Sequence, residues 1–144
     1  MRTLFIQLLR LHQALYVRTD GRIGHRLLFG TPTLLLYSTG RKSGQIRTSA
    51  LTYGRDGDDY LITASNGGAA KPPAWLYNLE AKPECEIQVG RQRHRVVARS
   101  VYPKDKAEYP RLWDIVNRVN HDQYREYQTK TARPIPVVVL TPVR

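Results

Sequence analysis

Three fixed cations, a hydroxyl and an amide fall close together in Gly40-Arg41-Lys42-Ser43-Gly44-Gln45-Ile46-Arg47. Held in a turn, such side chains and the backbone N–H groups beside them can converge on one phosphate or on several carboxylates. A chain of net charge +11 also carries basic turns by chance, and a solvated loop is the competing reading. A second segment with chemistry in it is Ala64-Ser65-Asn66-Gly67-Gly68. Glycines there would admit a planar ligand close to the backbone and leave N–H groups for ring carbonyls, although an ordinary loop has the same composition.

Other chemistries lack their residues. No lysine follows a phosphate-loop glycine at Gly40-Arg41-Lys42-Ser43, and no Gly-x-Gly-x-x-Gly opens a helix after a strand. His12, His25, His94 and His121 are scattered without ligand spacing, so no metal is expected. The single cysteine, Cys85, excludes an internal disulfide and reads as an inert mid-strand thiol in a reducing cytoplasm. With 23 Lys and Arg against 12 Asp and Glu, the chain should attract a polyanion: nucleic acid, an acidic membrane or a phosphate-bearing cofactor. Nucleic acid would call for basic residues interleaved with exposed aromatics along one face, and no such stripe is visible.

The elements that must position these segments follow from periodicity and punctuation. An apolar strand over 33–39 ends at Gly40, a second covers 46–53, and 41–45 is the turn between them. Asp56-Gly57 supplies a tight hairpin turn leading into a strand over 60–64. Pro72-Pro73 opens a short helix over 74–81, and strands over 84–89 and 94–101 flank Gly90-Arg91. Helices are expected over 104–118 and 121–130, stopped by Pro134 and Pro136, with a last strand over 137–141. The reading is mostly β with α: a small barrel of about six antiparallel strands with peripheral helices, in a single domain over 1–144. An amphipathic helix within residues 1–20 sets Leu4, Leu8, Leu11 and Leu15 on one stripe. It either packs on the barrel or lies on an acidic membrane. The apolar runs at 32–37 and 135–140 are far shorter than the roughly 20 residues that span a bilayer, and the N-terminus does not resemble a secretory signal.

With Pro73-Ala74-Trp75-Leu76-Tyr77-Asn78-Leu79 added to those two segments, the chain resembles the deazaflavin-dependent nitroreductase family of split β-barrel proteins. These are pyridoxamine-phosphate-oxidase-like flavin/deazaflavin oxidoreductases of class A. The likeness runs from about Leu34 to Val139 and includes Asn78-Leu-x-Ala-x-Pro-Glu84, Tyr124-x-x-Tyr127-Gln128 and Arg133-x-Ile135-Pro136-Val137. It implies binding of coenzyme F420, whose tail carries a phosphodiester and glutamates. By that resemblance Arg41, Lys42, Ser43, Gln45 and Arg47 hold the tail, with Thr48 and Ser49 nearby and Lys71 adding charge. Ala64, Ser65 and Asn66 face the ring, while Trp75 and Asn78 close the site. The implied reaction is hydride transfer from reduced F420 to a small organic acceptor, whether quinone, activated alkene or nitroaromatic. Water, Ser65, Tyr124 or Tyr127 would supply the proton, although the two tyrosines also suit core packing at i, i+3.

Two other readings stand beside this one: a split-barrel carrier of lipid or haem without the reaction, and a flavin mononucleotide oxidoreductase. A carrier of uncharged lipid needs no convergent cations, and a single phosphate needs fewer than a polyglutamate tail. The expected setting is the cytoplasm, with contact to the inner face of the membrane through the first helix, as a monomer or weak dimer.

Overall fold

The structure, a computed structural model, describes residues 31–143. The helix expected within residues 1–20, and with it the membrane contact assigned to it, lies outside the described residues. Seven strands form one sheet in the order β2-β1-β5-β6-β7-β4-β3, every neighbouring pair antiparallel. They are β1 (Thr33–Thr39), β2 (Ile46–Thr52), β3 (Gly54–Asp56), β4 (Asp59–Thr63), β5 (Glu84–Val89), β6 (Gln92–Val101) and β7 (Val137–Pro142). Three helices accompany them: α1 (Ala74–Ala81), α2 (Tyr109–Val119) and α3 (Gln123–Thr129).

Connectivity makes the sheet curl. The edge strands β2 and β3 are consecutive in the chain and separated by Tyr53 alone. A flat sheet would set its edges several strand widths apart, at nearly 5 Å per strand, so this one rolls into a barrel that closes at Tyr53. Pairing then fails on one side of that corner. Gly54 pairs with Leu61, but β2 ladders only with β1, so the barrel is split between β2 and the end of β4.

Strand alternation separates two cores. Leu34, Leu36, Ile62, Ile87, Val96, Val138 and Leu140 fill the barrel interior, with Trp75, Leu76 and Leu79 of α1 plugging one end. On the outer face of β4 and β7, Leu61, Val137 and Val139 meet Tyr109, Leu112, Val116 and Tyr124 from α2 and α3. Buried on both faces, β7 reads Val137-Val138-Val139-Leu140 without alternation. β2 carries Arg47, Thr48, Ser49 and Thr52 and is exposed or half-buried throughout, as suits a strand bordering an opening.

The expected barrel and its helices match this fold, and α1 has the predicted bounds. One strand differs. The single strand expected over 46–53 and its hairpin become β2, a corner at Tyr53 and the separate three-residue β3, which accounts for a seventh strand. No helix among the described residues is long and apolar enough to cross a membrane.

Candidate functional site

The basic turn is a closed loop. Gly40 N–H donates to Gln45 O at 2.7 Å, Gly44 N–H to Gly40 O at 2.8 Å, and Gln45 N–H to Ser43 Oγ at 3.1 Å. Arg41 N–H leaves the turn and donates to Asn78 Oδ1 on α1 at 3.0 Å. A Cβ on Gly40 would stand 2.6 Å from Ser43 Oγ and 3.2 Å from Gln45 O, so a larger residue would displace the Ser43 hydroxyl that accepts from Gln45 N–H. The expected convergence of backbone N–H groups on an anion is thereby corrected. Those of Gly40, Arg41, Gly44 and Gln45 are spent on holding the turn, which leaves Lys42 and Ser43 as its backbone donors beside the side chains.

Those side chains are available. Arg41, Lys42, Ser43, Gln45 and Arg47 are all exposed. None of the five ion pairs among the described residues uses Arg41, Lys42 or Arg47; the five gather on Asp56, Glu108, Asp114 and Asp122. The Arg41 guanidinium lies 4.6 Å above the ring of Tyr77, a half-exposed aromatic of α1 that sequence reasoning passed over.

Strand alternation divides the neighbours. Ser38 pairs with Arg47 and Leu36 with Ser49, so Arg47 and Ser49 share the inner face with Leu34 and Leu36. Thr48 pairs with Tyr37 on the outer face. Thr48 and Ser49 therefore cannot both point toward one ligand. Asn78, buried on α1, also reaches Ser38 Oγ from its Nδ2 at 3.4 Å, which ties helix, strand and turn together. Trp75 is 7% exposed within the barrel core beside Ala64, as floor rather than rim.

Across the split from β2, the chain leaving β4 forms Ala64 and Ser65 and then the 3-10 turn Asn66–Gly68. Ala64 and Ser65 are buried, whereas Asn66 and Lys71 are exposed and joined by Asn66 Nδ2 donating to Lys71 O at 2.9 Å. Gly68 has φ +83°, and a Cβ on it would lie 2.8 Å from Tyr127 O. Its close approach is to the backbone of α3. The glycine was expected to admit a ligand, and at Gly68 it admits a helix instead.

The tyrosines of α3 stand behind this loop. Tyr124 is 6% exposed, packed with Trp113 at 6.4 Å and Tyr127 at 6.3 Å between ring centres, and burial raises its hydroxyl well above the ordinary tyrosine range. Tyr127 is half-buried, raised in the same direction by burial, and donates to Gln123 Oε1 at 3.4 Å. Cys85 is half-buried on β5, and burial with Glu84 and Glu86 alongside pushes its thiol up to about 11.

Residues 8–142 match the family described as F420H(2)-dependent quinone reductase. The chain belongs to this family. It is 56% identical over 136 residues to an F420H(2)-dependent quinone reductase of Mycobacterium tuberculosis, covering 94% of this chain and 91% of that one. Among solved structures, an F420-H2 dependent reductase aligns with TM-score 0.66 at 33% identity, covering 76% of this chain and 93% of the other. Another, described as a domain-swapped dimer, aligns with TM-score 0.69 at 29% identity over 94% of this chain and 98% of its own. The split β-barrel is thus the fold of the family as well as the consequence of the Tyr53 corner.

A groove of about 590 Å3 competes with the split as a ligand site. Tyr37, Ile46, Arg93, Arg95, Val97 and Val143 contribute to its lining, and none of the expected cofactor residues does. Glu84 and Glu86 offset two of its three cations, Lys82, Arg93 and Arg95, whereas no carboxylate stands within the 40–47 turn. The turn carries three exposed cations within seven residues and no acid among them.

Sequence reasoning also left Arg133 without a part. Its guanidinium donates to Ala64 O, Ser65 O and Ala69 O at 3.1, 2.8 and 3.0 Å. The motif Arg133-x-Ile135-Pro136-Val137 was the only signal, since its partners lie more than sixty residues earlier.

Proposed function

We propose that the chain is an F420H2-dependent reductase that delivers hydride to quinone-type acceptors in the split between β2 and the 64–69 loop. The observation that carries this reading is the exposed set Arg41, Lys42 and Arg47, engaged in none of the described ion pairs, at the mouth of the split. A phosphodiester followed by glutamate carboxylates is the kind of tail that donor set fits. When bound, the reduced deazaflavin supplies the hydride.

The chain's own residues bind, orient and exclude water. Arg41, Lys42 and Arg47 neutralise the tail, with Ser43 and Gln45 donating beside them and Lys71 adding charge from the far side. Ser49 shares the inner face with Arg47, and Thr48 flanks the turn from outside. Asn78 holds the turn at its height above α1, and Trp75 supplies an apolar floor. Ala64, Ser65 and Asn66 form the wall against which a planar ring rests. Reduction of a quinone consumes one hydride and one proton and yields the hydroquinone. In this reading the Ser65 hydroxyl donates a hydrogen bond to the acceptor oxygen as negative charge develops, and water completes the protonation. Tyr124 and Tyr127, kept protonated by burial, support the loop from behind and are second to Ser65 as donors.

The test is anaerobic turnover. Purified protein mixed with F420H2 and a soluble naphthoquinone should restore the oxidised deazaflavin absorbance at a rate proportional to enzyme, and reduced flavin mononucleotide should not substitute. No acceleration over the enzyme-free mixture would overturn the assignment, and acceleration only with a nitroaromatic or an activated alkene would move it to that acceptor.

A further inference from the structure

We propose that Arg133 is a positioning residue that sets the ring-facing wall at Ala64–Ser65–Asn66, an inference that rests on the F420 reading and deepens it. All three guanidinium nitrogens are used, each on a different backbone carbonyl: Nη1 to Ala64 O, Nη2 to Ser65 O and Nε to Ala69 O. None of the described ion pairs includes Arg133, so its charge is directed at the loop rather than at an acid. A rigid planar fork that grips three carbonyls fixes their relative orientation, which a flexible ammonium cannot do.

The consequence follows from the planarity of the peptide. In a trans peptide the C=O and the following N–H point in opposite directions. Drawing the carbonyls of Ala64 and Ser65 toward Arg133 turns the N–H groups of Ser65 and Asn66 to the opposite side of the loop. Neither N–H enters a hydrogen bond among the described residues, whereas the neighbouring Ala64 and Gly68 N–H groups are spent on Pro136 O and Ser65 O. Two adjacent backbone donors held in one direction are what a ring carbonyl or a developing oxyanion requires. The loop is also braced on α3 at Gly68, so Arg133 controls its facing and not its mere presence.

The test uses Arg133→Lys, which keeps a cation, and Arg133→Gly, which leaves space for an added guanidinium. Both should still bind oxidised F420, weakened by no more than about tenfold, because the turn at 40–47 is untouched and only a ring contact is loosened. Turnover with naphthoquinone should fall about tenfold to a hundredfold in kcat, as expected when reacting groups are misplaced by about an ångström, with KM for the quinone little changed. Millimolar methylguanidine should restore kcat in Arg133→Gly, and methylamine or sodium chloride should not. In the cofactor-free protein, hydrogen exchange at Gly68 and Ala69, whose N–H groups are bonded within the loop, should quicken in Arg133→Lys relative to the parent. An unchanged kcat in folded Arg133→Lys, or rescue by any cation alike, overturns the proposal. Exchange in the cofactor-free protein reads the clamp even where the parent fails to turn over quinone, so failure of the F420 reading remains distinguishable from failure of this one.

Discussion

Asn78 Oδ1 accepts the Arg41 backbone N–H at 3.0 Å, and Asn78 Nδ2 reaches Ser38 Oγ at 3.4 Å, so one buried amide fastens the basic turn to α1. Asn78→Ala leaves the buried Ser38 hydroxyl and the Arg41 N–H without these partners and should cost about 1–3 kcal/mol of stability. It should also weaken F420 binding by letting the turn move. Asn78→Asp keeps the acceptor for Arg41 but sets a carboxyl in a buried site, so it should fold more stably than Asn78→Ala at a pH low enough to keep that carboxyl neutral. Urea unfolding of both variants checks the order, and equal stabilities would remove the fastening role.

Gly68 and Gly67 separate two meanings of glycine. Both have positive φ, but a Cβ on Gly67 meets nothing within 4 Å, whereas one on Gly68 would lie 2.8 Å from Tyr127 O. Gly67→Ala should cost about 1–2 kcal/mol for the left-handed backbone alone. Gly68→Ala adds an overpacking penalty of about 1–3 kcal/mol and should loosen the loop from α3. Unfolding midpoints that fall equally would contradict this packing.

Cys85 gives a pH dependence of definite sign. Its thiol is pushed up to about 11 by burial and by Glu84 and Glu86, which favours the neutral form. At pH 8 the thiolate fraction is then about one in a thousand, against about a quarter for a free cysteine near 8.5. Alkylation by iodoacetamide should therefore be slower than for free cysteine by up to about 250-fold, the ratio of the thiolate fractions, and should climb as pH approaches about 11. Mass spectrometry of a time course would show it, and modification at the free-thiol rate would contradict the inert reading.

How much of this was legible beforehand depends on the range of the interaction. The bounds of α1 follow from Pro73 and local pattern, and the β5–β6 hairpin from Gly90. The corner at Tyr53 was not legible, because a strand that changes partners midway looks continuous until its pairing is known. Likewise Thr48 and Ser49 read as equivalent neighbours until the β1–β2 register sent them to opposite faces. The stacking of Arg41 on Tyr77 and the grip of Arg133 on Ala64 both join residues far apart in the chain, where periodicity carries no signal. The basic turn was visible as a cluster of charge; that four of its backbone donors are spent on holding it in place was not.

The central claim, a polyanionic deazaflavin held by the turn between β1 and β2, is tested most directly by titrating the protein with oxidised F420 and following its fluorescence. Lys42→Ala, Arg47→Ala, flavin mononucleotide and a DNA duplex serve as comparisons. The account predicts binding to F420 in preference to the other two ligands, weakened about tenfold to a hundredfold by each substitution through the loss of one charge-assisted contact of about 1.5–3 kcal/mol. Affinity for F420 unchanged in both variants, or no binding by the parent, would contradict it.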